Sequence, residues 1–352
     1  MPLTIKDVAK KARVSTATVS LVLQNNERIS AATRQRVLRV VKKLDFRPSR
    51  IARGLVMQQT HNIGFVLTDD HFLRTEPFYT HIFLGSEFEA RDHEYYVLLH
   101  TISHDFDKHK DLPRFIKEHD VDGVIVAGKV PQEIIDYIEQ NKLPIVFVDY
   151  CPPKGDYSAV LIDNIKGGME ATDYLIDHGH HKIGFIGGDL QHPSIQDRYQ
   201  GYKQAIEQKK VNFNNKYVIT SEANTTRETG YNAARSLLSH QSQITAIFSC
   251  NDAMAIGAMQ YIEDQGLRIP EDISIIGFDN VDAAVYTDPP LTTMHVPKEE
   301  LGIEAMRLMV DILKRHIKST KKVLVPVEII NRESVKILKI NNNNMFKRLT
   351  KN

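Results

Sequence analysis

From residue 61 onward the sequence alternates short, nearly continuous apolar runs with longer helical stretches. Eight runs stand out: NIGFVLTDD (62–70), EYYVLLHT (94–101), VDGVIVAG (121–128), LPIVFVDY (143–150), AVLIDN (159–164), KIGFIGGD (182–189), TAIFSCND (245–252) and ISIIGFDN (273–280). A strand that is apolar on both faces must be covered on both faces. Runs at this spacing therefore predict parallel sheets with helices packed on either side, an α/β architecture. Nearly 300 residues of this pattern exceed what one sheet holds and predict two lobes. In such folds a ligand sits at the carboxyl ends of the strands, in the cleft between lobes. Asp69, Asp149, Asp189, Asn251-Asp252 and Asp279-Asn280 each follow an apolar run and so converge on that cleft.

Those acids could suggest acid/base catalysis or a metal. No nucleophile is spaced to meet a base, however, and GFIGGD lacks the GxGxxG pattern of a dinucleotide loop. His178, His180 and His181 fall in a helix-to-strand turn and read as turn surface rather than metal ligands. The chain is expected to be no enzyme and to need no cofactor and no metal. The two cysteines, Cys151 and Cys250, are far apart and read as free thiols. No apolar run suits a signal peptide or a membrane span, so a cytoplasmic protein without membrane contact is expected.

The net charge of +1 over 352 residues hides a strong polarity. Residues 1–60 hold 13 Lys or Arg against three acids, and the last seventeen residues add five bases and no acid, which leaves the segment between them net acidic. A small basic head on an acidic body suits a polyanionic partner for the head alone. Within the head, Thr4-x-x-Asp7 is a capping box that opens a helix with Ile5, Val8 and Ala9 inward. Arg13-Val14 makes a tight turn. Ser15 caps a second helix whose outer side carries Thr16, Ala17, Ser20 and Leu21. Ser30 caps a third, with Val37, Val40, Val41 and Leu44 as its apolar stripe. From composition alone, a DNA-binding helix-turn-helix and a plain three-helix bundle with a basic face are both open. In FRPSRIARGLVMQQT (46–60), Pro48-Ser49 starts a helix too short to stand alone, since isolated helices below about 12 residues are marginal in water.

Residues 4–55 as a whole closely resemble the head of the lactose/galactose repressor family. The shared elements are IKDVA, the VS-x-x-TVS turn and helix, IS-x-x-TR-x-RV, and the F-x-P-S-x-x-A-R-x-L segment, all in the family's order. The resemblance implies that the second helix lies in the major groove of double-stranded DNA. It also implies DNA contacts from Thr4, Ser15, Thr16, Ala17, Thr18, Ser20, Leu21, Asn25, Ser30, Thr33 and Arg34. Thr16 and Ala17 match the positions that select sequence. Leu21 stands where arginine is common and can make only apolar contacts, for instance with a thymine methyl, so the family's usual half-site does not transfer; the alternative is that Leu21 packs against the neighbouring helix ends. The 46–60 segment matches the family's hinge, which pairs across a dimer, folds on DNA and presses a leucine into the minor groove. Leu55 takes that place here, with Arg50 and Arg53 on phosphate or groove.

For the body the resemblance implies a periplasmic-binding-protein-like pair of lobes with three crossings, placed near 161–163, 290–293 and 321–323. The expected organisation is a helix-turn-helix head (1–46) and a hinge (47–60). An N-terminal lobe (61–161 with 291–320) and a C-terminal lobe (162–290 with 321–335) follow, then a disordered tail (336–352) without a tetramer-forming zipper, which leaves a homodimer. The effector site implied by the family comprises Arg198 in DRYQGY, Asp279 in GFDN, Asn251, Phe78, Tyr79, Asp149 and Ser194. An arginine facing an acid beside aromatic rings suits a polyhydroxylated ring, so a repressor controlled by a sugar or sugar derivative on a pseudo-palindromic operator is expected. A purine-type or phosphosugar corepressor is the alternative. His192 stands where a purine-binding member carries arginine, which disfavours the purine. A transporter's solute-binding protein and an α/β enzyme are rival readings. The basic head opposes the first and the missing catalytic constellation the second.

Overall fold

The computed structural model of the chain describes residues 3–23, 28–46, 59–69, 77–103, 106–107, 110–222, 224–240, 243–315 and 319–338. These fall into two units, residues 1–61 and 62–352.

The head is three helices, α1 (Ile5–Ala12), α2 (Thr16–Leu23) and α3 (Ala31–Leu44). The Asp7 carboxylate accepts from both the backbone N–H and the hydroxyl of Thr4, which closes the start of α1. Arg13 ends α1 in the left-handed conformation at φ 54°, and its N–H bonds back into the last turn. Ser15 Oγ accepts from Thr18 N at 3.1 Å and Ser30 Oγ from Thr33 N at 3.4 Å, capping α2 and α3. Val8, Ala9, Ala12, Val19, Val22, Val37 and Phe46 form the core. On α3 only Val37 of the expected stripe is fully buried, while Val40, Val41 and Leu44 pack half-exposed at its edge.

The body contains two six-stranded sheets. The first uses β1 (Asn62–Thr68), β2 (Tyr96–Ile102), β3 (Gly123–Ala127), β4 (Ile145–Val148), β5 (Ser158–Ile162) and β11 (Lys322–Val325), in the order β11-β5-β4-β3-β1-β2 and parallel throughout. The second uses β6 (Ile183–Gly188), β7 (Val218–Glu222), β8 (Ala246–Ser249), β9 (Ser274–Asp279), β10 (Thr292–His295) and β12 (Glu328–Ile330), in the order β12-β10-β9-β8-β6-β7. It is parallel except for β10 against β12. All eight apolar runs are strands. Helices α4 (Phe78–Asp92) and α11 (Lys298–Arg315) pack together beside the first sheet, which α5 (Arg114–Lys117) and α6 (Gln132–Gln140) also cover; α7 (Asn164–Asp177) with α8 (Pro193–Gln208), and α9 (Arg227–His240) with α10 (Asp252–Asp264), flank the second.

The strand pairing moves two of the expected crossings. The chain leaves the first sheet after Ile162, but β10 pairs with β9, so residues 291–295 belong to the second lobe and the return crossing falls at Val296-Pro297. Strand β11 pairs with β5, so residues 321–325 belong to the first lobe and the last crossing falls at Pro326-Val327. Both strands are short and mixed in character, and their membership is set by their partners rather than by their own pattern.

The expected tail also starts too early. Residues 336–338 are held on the second lobe: Lys336 N donates to Ser274 Oγ at 3.1 Å and Leu338 N to the His178 carbonyl at 2.8 Å. Residues 339–352 and most of the hinge, including Arg50, Arg53 and Leu55, lie outside the described residues. His180 departs from a turn-surface reading. It is buried between Thr245 Oγ1 and the Lys336 carbonyl, and burial pushes its pKa down to about 4.

Candidate functional site

The head presents Ser15, Thr16 and Ala17, all exposed, at the first turn of α2, with Thr18, Ser20 and Leu21 partly buried beyond them. Leu21 is not among the side chains that pack on the head's core, whereas Leu23 is. The Ser15 and Thr18 hydroxyls share a hydrogen bond of 2.9 Å, so part of the polar surface of α2 is spent on its own cap. The Thr4 hydroxyl is likewise engaged with Asp7 and the Ser30 hydroxyl with Thr33. Arg34 is partly buried on α3, and Asn25 lies outside the described residues.

In the body, Arg198 on α8 is buried and held from three sides. Its Nε donates to Asn164 Oδ1 at 2.8 Å, and its Nη1 donates to the Cys250 carbonyl at 2.7 Å and to Asp279 Oδ1 at 3.2 Å. The guanidinium lies 3.7 Å above the Phe278 ring centroid, a cation–π contact. Asp279 closes β9 at φ 106° and Asn280 follows at φ 51°, both in the left-handed region that side chains disfavour. This kink turns the Asp279 carboxylate onto Arg198.

On the other lobe, α4 begins with Phe78 and Tyr79, whose rings meet edge-on with centroids 5.1 Å apart. Tyr79 donates to Asp149 Oδ2 at 2.7 Å across the ends of α4 and β4. Asp149 sits at φ 66° just past β4, and its second oxygen, Oδ1, is buried without a hydrogen-bond partner.

Two of the expected ligand residues have structural duties of their own. Asn251 is the N-cap of α10: its Oδ1 accepts from Met254 N at 2.9 Å and its Nδ2 donates to the Thr225 carbonyl at 3.1 Å. Ser194 Oγ lies 2.8 Å from His192 Nδ1 at the start of α8.

Sequence reasoning missed Lys298 as a participant and noted Asp252 only as a strand-end acid. Lys298 is buried, and its ammonium donates to the carbonyls of Asp279, Asn280 and Val296 and lies 5.8 Å from the Phe78 centroid. It thereby lies between the Phe78 ring of one lobe and the backbone of Asp279 in the other. Asp252 is fully buried, accepting from Thr293 Oγ1 at 2.6 Å and Val281 N at 2.9 Å. Burial, then the nearby Asp279 charge, pushes its carboxyl up to about 8. Cys250, beside Arg198, is a free thiol that burial raises to about 11, which makes it a poor nucleophile. Among the described residues no group of three potential ligands could hold a metal, and no helix is long and apolar enough to cross a membrane.

Residues 4–49 match the family model for bacterial regulatory proteins of the lacI family, and residues 172–335 match a periplasmic binding protein-like domain. The HTH-type transcriptional repressor CytR of Escherichia coli (strain K12) is 35% identical over 337 residues, 95% of this chain and 97% of that protein. The chain belongs to the lacI family. This LacI-family protein is also 34% identical over 335 residues to the HTH-type transcriptional repressor PurR of Vibrio vulnificus (strain CMCP6), again 95% of this chain and 98% of the relative. Among solved structures it resembles a transcriptional regulator CelR–cellobiose complex with a TM-score of 0.72 and 28% identity, covering 94% of this chain and 99% of that one. A LacI-family regulator of Enterococcus faecium with bound ribose matches with a TM-score of 0.68 and 28% identity, over 79% of this chain and all of that one. The lac repressor dimer bound to operator and anti-inducer shares the fold, with a TM-score of 0.77 at 23% identity. The LacI-family chain is thus a DNA-binding transcriptional regulator and not an enzyme.

Proposed function

We propose that this regulator is a dimeric repressor of a pseudo-palindromic operator, and that its operator affinity is set by an uncharged sugar or sugar derivative bound between the lobes. The observation that carries the ligand class is the buried Asp149 Oδ1, which has no hydrogen-bond partner. A buried carboxylate oxygen left unpaired costs about 1–3 kcal/mol or more, and a hydroxyl that donates to it recovers that cost. Arg198 and Asp279 already pair, and the three N–H groups of Lys298 are taken up by carbonyls. These two cations are compensated within the fold, while Asp149 repels an anion. That balance favours a neutral polyol over a sugar phosphate. The rings of Phe78 and Tyr79 provide apolar contact for the face of a sugar. Bound cellobiose and bound ribose in two structural relatives support the same class.

The test is a thermal-shift screen of the full chain against neutral sugars, their phosphates and nucleobases. Hits are then titrated against an operator selected by the protein from a random-sequence pool. A neutral sugar should raise the melting temperature and change operator affinity, and its phosphate should do neither. Stabilisation by sugar phosphates or nucleobases alone would overturn the assignment.

A further inference from the structure

Lys298 opens α11, and the packing of that helix fixes which lobe it moves with. A Cβ on Gly85 of α4 would come within 2.0 Å of the Glu299 carbonyl oxygen, and one on Gly302 within 1.9 Å of the Ile82 carbonyl oxygen. The two helices therefore touch backbone to backbone. Ser86 Oγ donates across the contact to the Gly302 carbonyl at 3.1 Å. The backbone at Lys298 is thus tied to α4 and, through it, to the first sheet.

Its ammonium points the other way. Two of its three acceptors, the Asp279 and Asn280 carbonyls, belong to the kink that ends β9 in the second sheet, and the third, Val296, lies in the crossing itself. The kink has other supports within its own lobe: the Asn280 side chain accepts from Arg332 Nη2 at 2.6 Å and meets His295 Nδ1 at 3.1 Å. Lys298 alone among these reaches it from the helix of the opposite lobe. Left-handed backbone in non-glycine residues persists only where surrounding groups over-determine it. An ammonium spanning both carbonyls of the kink is such a determinant.

We propose that Lys298 is a positioning residue that latches the two lobes together, fixing both the resting lobe arrangement and the aim of the Asp279 carboxylate. The latch itself stands on the hydrogen bonds above. Its effect on ligand response rests on the reading of Asp279 as a ligand residue. When ligand pulls on Asp279, the displacement passes through Lys298 to α11 and α4, so the same three hydrogen bonds that set the resting state transmit the signal. A switching element has to differ in energy between two arrangements, and a donor whose acceptors sit on the opposite lobe meets that requirement.

The full-length protein is compared as wild type, Lys298→Met and Lys298→Arg. Methionine keeps the length and apolar stem and removes the charge and the donors, while arginine keeps both charge and donors. Amide hydrogen exchange of the free protein needs no ligand. In Lys298→Met the segments 279–281 and 296–300 should exchange at least tenfold faster, with strands β3 and β8 at wild-type rates as evidence of an intact fold. Lys298→Arg should stay near wild type. Unchanged exchange at 279–281 in the methionine variant overturns the latch. So does an arginine variant as labile as the methionine one, which would trace the effect to stem packing. The second measurement is the ratio of operator affinity with and without D-ribose, and with and without cellobiose. In a wild type that responds to either sugar, Lys298→Met should shrink that ratio at least fivefold, and an unchanged ratio overturns the coupling role. A wild type that responds to neither counts against the ligand reading, and the exchange result still decides the latch.

Discussion

Tyr79 donates its phenolic hydrogen to Asp149 Oδ2 at 2.7 Å and leaves Oδ1 of the same carboxylate buried with no partner. One oxygen is thereby fixed by the protein, and the other is the acceptor that the proposed function assigns to a ligand hydroxyl. Asp149→Asn keeps the shape but replaces an anionic acceptor by an amide. Ligand affinity measured by calorimetry should fall at least tenfold, since hydrogen bonds to charged groups are worth about 1.5–3 kcal/mol. Wild-type affinity in Asp149→Asn would place the ligand elsewhere.

Arg198→Ala should abolish the ligand's effect on operator binding, which a typical allosteric coupling energy puts at about 5- to 150-fold. Operator affinity without ligand should remain near wild type. The variant should also melt earlier, because Asp279 loses its partner and a buried pair broken on one side costs about 3–5 kcal/mol. Operator titrations with and without the sugar, beside a melting curve, separate the two effects. A variant that keeps the full response would remove Arg198 from the ligand site.

The family resemblance puts Leu21 on the face of α2 expected to meet base edges, at a position where an arginine would read guanine. Leu21→Arg should shift the half-site selected from a random pool toward guanine at one position, with discrimination of about 1–3 kcal/mol. An unchanged consensus would mean that residue 21 does not reach the base edges.

Asp252 carries its own pH signature. Its folded pKa of about 8 lies above the ordinary carboxylate value of 3.8, so the folded chain holds this proton more tightly than the unfolded chain between those limits. The contribution is fully present below about pH 4 and is lost as pH rises toward 8. The opposing charges around it are Asp279, which raises the value, and Lys298, which lowers it. Asp252→Asn carries no ionisable group, and its amide can still serve Thr293 and Val281. Its stability relative to wild type should improve by at least about 1.4 kcal/mol, the worth of one pKa unit, between pH 5 and pH 8. Denaturant melts at a series of pH values would show a parallel pair of curves if Asp252 were ionised throughout.

The body's architecture was readable because a buried parallel strand is apolar on both faces, and every one of the eight runs had that signature. Strands β7, β10, β11 and β12 were not, since Val218–Glu222 is half-exposed and the other three are only three or four residues long. Two lobe boundaries consequently fell about five residues from the observed crossings. The Arg198–Asp279 pairing was legible from family-like motifs. Lys298 was not, because a lysine in VPKEE reads as a solvated helix start, and only the fold brings three carbonyls to its ammonium. Asn251 carries a duty that its family-like motif did not show, since the same position is where α10 needs its cap.

The three crossings also govern the order in which the molecule can be made. The first sheet needs β11 and the second needs β12, and both strands lie within residues 322–330. During synthesis each sheet gains its outermost strand only when residues 322–330 have emerged, and until then β5 and β10 are the edge strands, with their outer backbone groups unpaired. The head draws its core from residues 8–46 alone and can fold as soon as it appears. A message cut short before codon 322 therefore yields a head that can complete its own core, joined to a body in which both sheets lack their outermost strand.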